Sequence, residues 1–251
     1  MLSRTLSSLQ HPIVKYLVNL RKDRDFRRAE KKVLVCGLKL IRELVEQKIK
    51  LLMLLQEEDR PLAGQLQAEE TLQVSASLLK KISGLEHPEP IAAVVSMPIF
   101  KNLSGSRHLL VLDGISDPGN LGTLIRSALA FGWDGVFILE QSCDPFNEKA
   151  IRSAKGATFR IPMQEGSWEE FLLFLQTSPR SVYLADIQGT PIDQIKAKSP
   201  LALILSRESQ GARNDAKKRF AAVTIPMQGA MESLNVASAG AILLHSLKET
   251  A

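Results

Sequence analysis

Apolar positions along this chain fall into two alternating patterns, short β-type runs and longer stripes at helical spacing. Residues 12–28 read as a polar helix and KVLVC (32–36) as a strand. LKLIRELVEQ (38–47) carries its apolar residues at helical period, and KIKLLMLLQ (48–56) reads as a strand. TLQVSA and PIAAVVSM add two more strand-like runs. Strands separated by short helices predict a small α/β domain over residues 1–98. The stretch MPIFKNLSGSRH (97–108) is rich in turn formers, and residues 99–107 read as a linker.

A second alternating series fills residues 108–251. HLLVLDGI (108–115), GVFILE (135–140), SVYLADI, LALILS (201–206) and AAVTIPM (221–227) read as strands, and RIPM as extended chain. NLGTLIRSALAFG (120–132), NEKAIRSAK and SWEEFLLFLQ read as helices between them. Strands with so few polar residues imply a mostly parallel sheet covered on both faces. The last segment, SLNVASAGAILLHSLK (233–248), is a helix apolar nearly all round, which places it in the core or at a subunit interface.

Composition changes this picture little, but charge does. The 251 residues are 45% apolar and 24% charged, the balance of an ordinary globular protein. The net charge is +5 and the isoelectric point about 9.2. Between residues 15 and 32 stand eight basic residues, Lys15, Arg21, Lys22, Arg24, Arg27, Arg28, Lys31 and Lys32, against three acids. That local excess of five equals the whole net charge. A confined positive field suits a polyanion such as nucleic acid; a solvated helix face accounts for the same charges. Cys36 and Cys143 sit in apolar surroundings with no partner at metal-ligand spacing, so each reads as a buried small hydrophobe, and neither a disulfide nor a metal is expected. No signal-type run and no stretch of about twenty apolar residues occurs. A cytoplasmic protein without membrane association is expected.

Three segments stand at the carboxyl ends of expected strands, where open α/β sheets place their ligands. The first is LDGISDPGNLGTLIRSALAFG (112–132), in which Asn120 reads as an N-cap and Arg126 falls six residues further along the helix. No glycine-rich phosphate cradle is present, which excludes a dinucleotide-dependent oxidoreductase. The second is LILSRESQGARND (203–215), an apolar strand running into a polar loop with Glu208 and Gly211. The third is IPMQGAMESLNVASAGAILL (225–244). There Ser233 is the simplest helix cap, and Asn235 at the front of so apolar a helix is less easily explained as structure.

Together these segments resemble, in order, the three sequence motifs of the SpoU/TrmH family of RNA methyltransferases, of the SPOUT class. RSAKGATFRIP (152–162) resembles the family as well, and HPIVKYLVNLRKDRDFRRAEKKVLVCGLKLIREL resembles the RNA-substrate-binding domain that often precedes it. One departure is visible. The second motif usually reads Gly-x-Glu-x-x-Gly, and Ser206 stands at its first glycine, adding a Cβ where cofactor would lie against backbone.

The resemblance implies a parallel-sheet domain over residues 108–251 with a deep trefoil knot, S-adenosylmethionine as cofactor, and a homodimer in which the second subunit completes the site. It implies a catalytic set of Asn120, Arg126, Glu208, Ser233 and Asn235. Cofactor contacts fall to Leu205, Ser206, Glu208, Gly211, Ile225, Met227, Ser233, Leu234 and Asn235, with the four apolar ones suited to packing around adenine or simply to the core. The implied reaction is attack of a ribose 2′-oxygen of structured RNA on the sulfonium methyl, with ribosomal RNA favoured over tRNA. A guanidinium offers donors only, so Arg126 is expected to clamp an RNA phosphate and stabilise the developing alkoxide. The competing expectation is a non-catalytic RNA-binding or ribosome-assembly protein that keeps the fold.

Overall fold

In the computed structural model, residues 2–58, 60, 66–207, 211–229 and 233–249 are described. They divide into two units, Met1–Pro98 with Phe146–Phe159, and Ile99–Pro145 with Arg160–Ala251. Residues 146–159, which sequence pattern leaves inside the second domain, thus cluster with the first.

The chain runs through β1 (Leu2–Leu6), α1 (Pro12–Lys22), α2 (Arg24–Glu30), β2 (Lys32–Cys36) and α3 (Leu38–Glu46). It continues through β3 (Leu51–Glu57), β4 (Ala68–Val74), α4 (Ala76–Ser83) and β5 (Ile91–Ser96). These strands form a five-stranded sheet in the order β1-β4-β3-β5-β2. β4 pairs parallel with both β1 and β3, whereas β5 runs antiparallel to both β2 and β3. Val14, Leu17 and Leu20 of α1 pack with Leu78, Leu79 and Ile82 of α4 over Leu55, Leu72 and Val94 of the sheet.

The single helix expected over 12–28 is two helices. Asp23 has extended backbone, and its side chain accepts from Phe26 N at 3.0 Å, so it ends α1 and caps α2. That break turns Arg27 inward. It is 2% exposed, and its Nη1 donates to Leu20 O at 2.8 Å and Arg21 O at 2.7 Å, satisfying carbonyls at the carboxyl end of α1. β1 and α4 were not legible as elements, the former because LSRTL shows no clean alternation.

The second unit holds β6 (His108–Asp113), α5 (Pro118–Ala130) and β7 (Gly135–Leu139), while α6 (Glu148–Ala154) lies in the first. It continues with β8 (Met163–Gly166), α7 (Trp168–Thr177), β9 (Ser181–Pro191), β10 (Leu201–Ser206), α8 (Asn214–Arg219), β11 (Ala221–Thr224) and α9 (Val236–Glu249). The six strands are ordered β11-β9-β10-β6-β7-β8, and every pair is parallel. The apolar runs of the central strands, LLVL of β6 and LALIL of β10, follow from cover on both faces. Phe171 and Phe174 of α7 pack on Val111, Phe137 and Ile204 on one side.

On the other side α9 lies against α5 at very close approach. A Cβ on Gly240 would stand 2.3 Å from Leu124 Cδ2 and 2.7 Å from Leu205 Cδ1, so only glycine admits this packing. Val236, Ala237, Leu243, Leu244 and Leu247 of α9 are buried, and Ile242 is left 41% exposed.

Candidate functional site

Helix starts position the site's polar groups. Asp117, and not Asn120, caps α5. Pro118 comes next, at a position that needs no N–H, and Asp117 Oδ1 accepts from Asn120 N at 2.9 Å. Asn120 is thereby set in the first turn with its amide free to reach sideways. Ser233 likewise does not cap α9, which begins only at Val236. The cap is Asn235, whose Oδ1 accepts from Ala237 N at 2.9 Å and Ser238 N at 3.4 Å. Its Nδ2 then donates to Asn120 Oδ1 at 3.2 Å. Two residues 115 positions apart thus meet across the α5–α9 contact.

Beside them, at the carboxyl ends of β10 and its neighbours, opens a cavity of about 410 Å³. Leu205, Ser206, Gly211, Ile225, Met227, Ser233 and Leu234 line it. Met227 and Leu234 are each 36% exposed at the described surface, as apolar groups awaiting a flat partner would be. β11 stops at Thr224, short of the strand expected to 227, which leaves residues 225–229 as irregular chain for the cavity wall. Asn235 is not among the lining residues, and Glu208 lies outside the described residues. Ser206 ends β10 in register with Asp113 and is not among the positive-φ residues, so the serine imposes no backbone strain there.

Sequence reasoning missed one wall. Ala185, Asp186, Ile187 and Gln188, in the middle of β9, line the cavity together with Lys217 of α8. Lys217 Nζ stands 2.8 Å from Asp186 Oδ2. Burial alone would raise the Asp186 carboxyl, but hydrogen bonds from Lys217 and Gln188 N and the lysine charge outweigh it and hold it below the usual range. The available signal was an aspartate directly after the apolar run VYLA of β9, and α8 itself had no readable period. α8 is anchored from the sheet: Arg213 makes a bidentate pair with Asp113 (3.1 and 3.0 Å) and its guanidinium lies 4.4 Å from the Trp168 ring. Trp168 Nε1 in turn donates to Asp215 Oδ2 at 2.9 Å.

Arg126 is not brought to the Asn120–Asn235 pair. It is exposed, and six residues along an α-helix turn the side chain about 120° away. Among the described residues no three His, Cys, Asp or Glu groups are placed to hold a metal, and no helix is long and apolar enough to cross a membrane.

In the first unit, Lys15, Lys22, Arg24, Arg28 and Lys31 are exposed, and Arg21 and Lys32 are half-buried. Arg27 is withdrawn from any such surface by its bonds to α1. Neither Cys36 nor Cys143 forms a disulfide among the described residues, and both are half-buried. Burial, and then the Glu148 carboxylate, push the Cys36 thiol up to about 12.

A cofactor-sized cavity at the carboxyl edge of a parallel sheet, with fixed amides beside it, defines a small-molecule-dependent α/β enzyme domain. The SpoU rRNA Methylase family matches residues 107–245, and an MRM3-like substrate binding domain matches residues 11–93. A Bacillus subtilis protein named 23S rRNA (guanosine(2553)-2′-O)-methyltransferase RlmP is 37% identical over 70% of this chain and 71% of its own. A solved AdoMet-bound rRNA methyltransferase from Sinorhizobium meliloti superposes with a TM-score of 0.85 at 25% identity, covering 98% of both chains. A solved RNA 2′-O ribose methyltransferase superposes at 0.83 and 26%, covering 99% of both. The chain belongs to the SpoU rRNA methylase family and is an RNA methyltransferase.

Proposed function

We propose that this chain transfers the methyl group of S-adenosylmethionine to a ribose 2′-hydroxyl of structured RNA, ribosomal RNA in the first place. The observation that carries the reading is the meeting of residues far apart in sequence, Leu205, Ser206 and Gly211, Ile225 and Met227, and Ser233 and Leu234, around one cavity, with the Asn120–Asn235 amide pair adjoining this last segment. The cavity's volume lies within the range of about 300–1,000 Å³ usual for small-molecule sites. Leu205, Ile225, Met227 and Leu234 suit the faces of an adenine, and Asp186 is a carboxylate able to accept from sugar hydroxyls. Ser206 Oγ is buried at this wall with no hydrogen-bond partner among the described residues, a group that a polar ligand can satisfy.

When bound, the cofactor supplies an electrophilic sulfonium methyl. The chain's own residues must hold the ribose in line and take up charge as its hydroxyl loses a proton. Asn235 Oδ1 is committed to two backbone donors, which fixes the amide's orientation and directs its Nδ2 to Asn120. Asn120 then accepts through Oδ1 and presents its own Nδ2 for an oxygen of the substrate. Glu208, Ser233 and Arg126 complete the set. Arg126 faces away within its own chain, which supports a homodimer in which it clamps an RNA phosphate at the partner's site. With this likeness go the knotted threading of the C-terminal segment and a cytoplasmic place of action. Residues 1–98 serve as the RNA grip, through Lys15, Arg21, Lys22, Arg24, Arg28, Lys31 and Lys32, reading the RNA by shape more than by sequence.

The test is titration calorimetry with S-adenosylmethionine, joined to mapping of 2′-O-methyl sites in total RNA with and without the gene. Binding together with loss of a ribosomal RNA methyl group is the expected result. No binding at millimolar cofactor refutes it in favour of a non-catalytic RNA-binding protein.

A further inference from the structure

Arg207 lies across the carboxyl ends of three neighbouring strands. Its backbone N–H donates to Asp113 O at 3.2 Å, at the end of β6. Its guanidinium then passes over Gly114, whose φ is +73 and where a Cβ would stand 2.8 Å from both Nε and Nη2. The bare backbone is what gives the side chain its path. Beyond Gly114, Nη2 donates to the amide oxygen of Gln141, after β7. Gln141 is itself held at φ 72, a backbone region that residues other than glycine seldom adopt. The floor beneath is pinned. Ser142 Oγ accepts from Gly114 N (3.0 Å) and Ile115 N (3.2 Å) and donates to Leu112 O (3.0 Å).

The charge balance here is uneven. Arg207 lines both the cofactor cavity and a separate polar hollow of about 260 Å³, formed with Asp113, Gln141, Gly211, Arg213 and Asn214. Arg213 is spent on Asp113. Among the described residues Arg207 is held by a neutral amide and has no carboxylate partner. Among the described residues, therefore, one guanidinium without a carboxylate partner faces, from a pinned floor, a polar hollow adjoining the cofactor cavity. Its fork matches a tetrahedral anion.

We propose that Arg207 is a substrate-binding residue whose guanidinium takes a backbone phosphate of the RNA next to the target ribose, in the hollow beside the cofactor. The inference rests on the methyl-transfer reading above. RNA carries a phosphate on either side of every ribose, and the hollow offers space for one outside the apolar cavity. The other anion within reach is the carboxylate of the cofactor, and the two are separable by experiment.

Arg207→Gln, Arg207→Lys and Gln141→Ala are compared in the full chain by calorimetry with S-adenosylmethionine and by filter binding to transcribed 23S rRNA across salt concentrations. For Arg207→Gln, cofactor affinity is expected to stay within about twofold, RNA affinity to fall roughly tenfold or more, and the salt slope to shrink by about 1. Arg207→Lys keeps the charge without the fork and falls between. Gln141→Ala leaves the guanidinium in place, loosens it, and has a smaller effect on RNA with the slope unchanged. If Arg207→Gln is poorly folded, these two variants carry the test. A tenfold loss of cofactor affinity with an unchanged salt slope overturns the proposal, as does unchanged RNA affinity. A wild-type chain that binds RNA but no cofactor refutes the methyl-transfer reading instead, and the RNA results still decide Arg207's contact with phosphate.

Discussion

Arg27 is the residue at which charge patterning and structure disagree most, and its removal separates the two accounts. In Arg27→Met the flexible apolar chain occupies much of the arginine stem's space, while both bonds to Leu20 O and Arg21 O are lost. Hydrogen bonds from a charged donor contribute about 1.5–3 kcal/mol each, and a buried carbonyl left without a partner costs about 1–3 kcal/mol. Relief from holding a guanidinium at 2% exposure offsets part of this. The net loss should be about 2–4 kcal/mol. With a urea dependence of about 1–3 kcal/mol per molar, the midpoint should fall by roughly 1–2 M. The probe must report the first unit. Trp133 and Trp168 both lie in the second, so tryptophan fluorescence is the control and far-UV circular dichroism or amide exchange over α1 and α2 the measurement. RNA affinity of the folded variant should be unchanged, whereas Lys22→Ala, on the exposed end of α1, should weaken RNA binding and change stability by less than about 0.5 kcal/mol. If Arg27→Met cost under about 0.5 kcal/mol and weakened RNA binding as Lys22→Ala does, the inward placement of Arg27 would be refuted.

Two further predictions concern the second unit. Asn235→Ala should lose the α9 cap and about 1 kcal/mol, whereas Asn235→Asp, still able to accept from Ala237 N and Ser238 N, should keep most of that stability. Both should lose turnover, since neither has an amide to hold Asn120; equal thermal shifts for the pair would contradict the assignment of the cap. His108 is held below the ordinary imidazole value of about 6.5 by burial first and then by the charge of Lys248, whose Nζ stands 3.1 Å from its Nδ1. The unfolded chain therefore takes up the proton first as pH falls, so stability should decline as pH is lowered through about 6.5. Denaturation at several pH values should show a weaker decline for His108→Gln, and an identical slope would refute this origin.

Periodicity made much of the second unit legible because β6, β7 and β10 are buried on both faces and α5, α7 and α9 run ten to fourteen residues: those strands begin where the apolar runs do. Its blind spots all depend on distant or capping partners. Asp23 breaks a continuous basic helix because its side chain can cap α2, and a capping aspartate in an exposed helix looks like any other surface charge. Residues 146–159 carry a helix pattern that says nothing about which unit they join. Asp186 lies in mid-strand, outside the three segments that drew notice, and its place in the cavity depends on α8, a helix of six residues too short to show a period.

Asn235 shows why stability and chemistry are hard to separate in this site. Local pattern reads Ser233 as the cap and leaves Asn235 without a structural task, while the family resemblance puts both in the catalytic set. The structure gives the cap to Asn235, and the same amide makes the bond to Asn120. An asparagine on an unanchored loop could present either end to its neighbour. Once Oδ1 is bound to the first turn of α9, only Nδ2 is left to point at Asn120. The distance between the two amides is then a matter of how closely α9 and α5 approach, which the missing side chain of Gly240 sets through its contacts with Leu124 and Leu205. Leu205 is also a wall of the cavity. The packing that joins the two helices therefore fixes the amide pair and one face of the cavity together, so a change at this contact should disturb both.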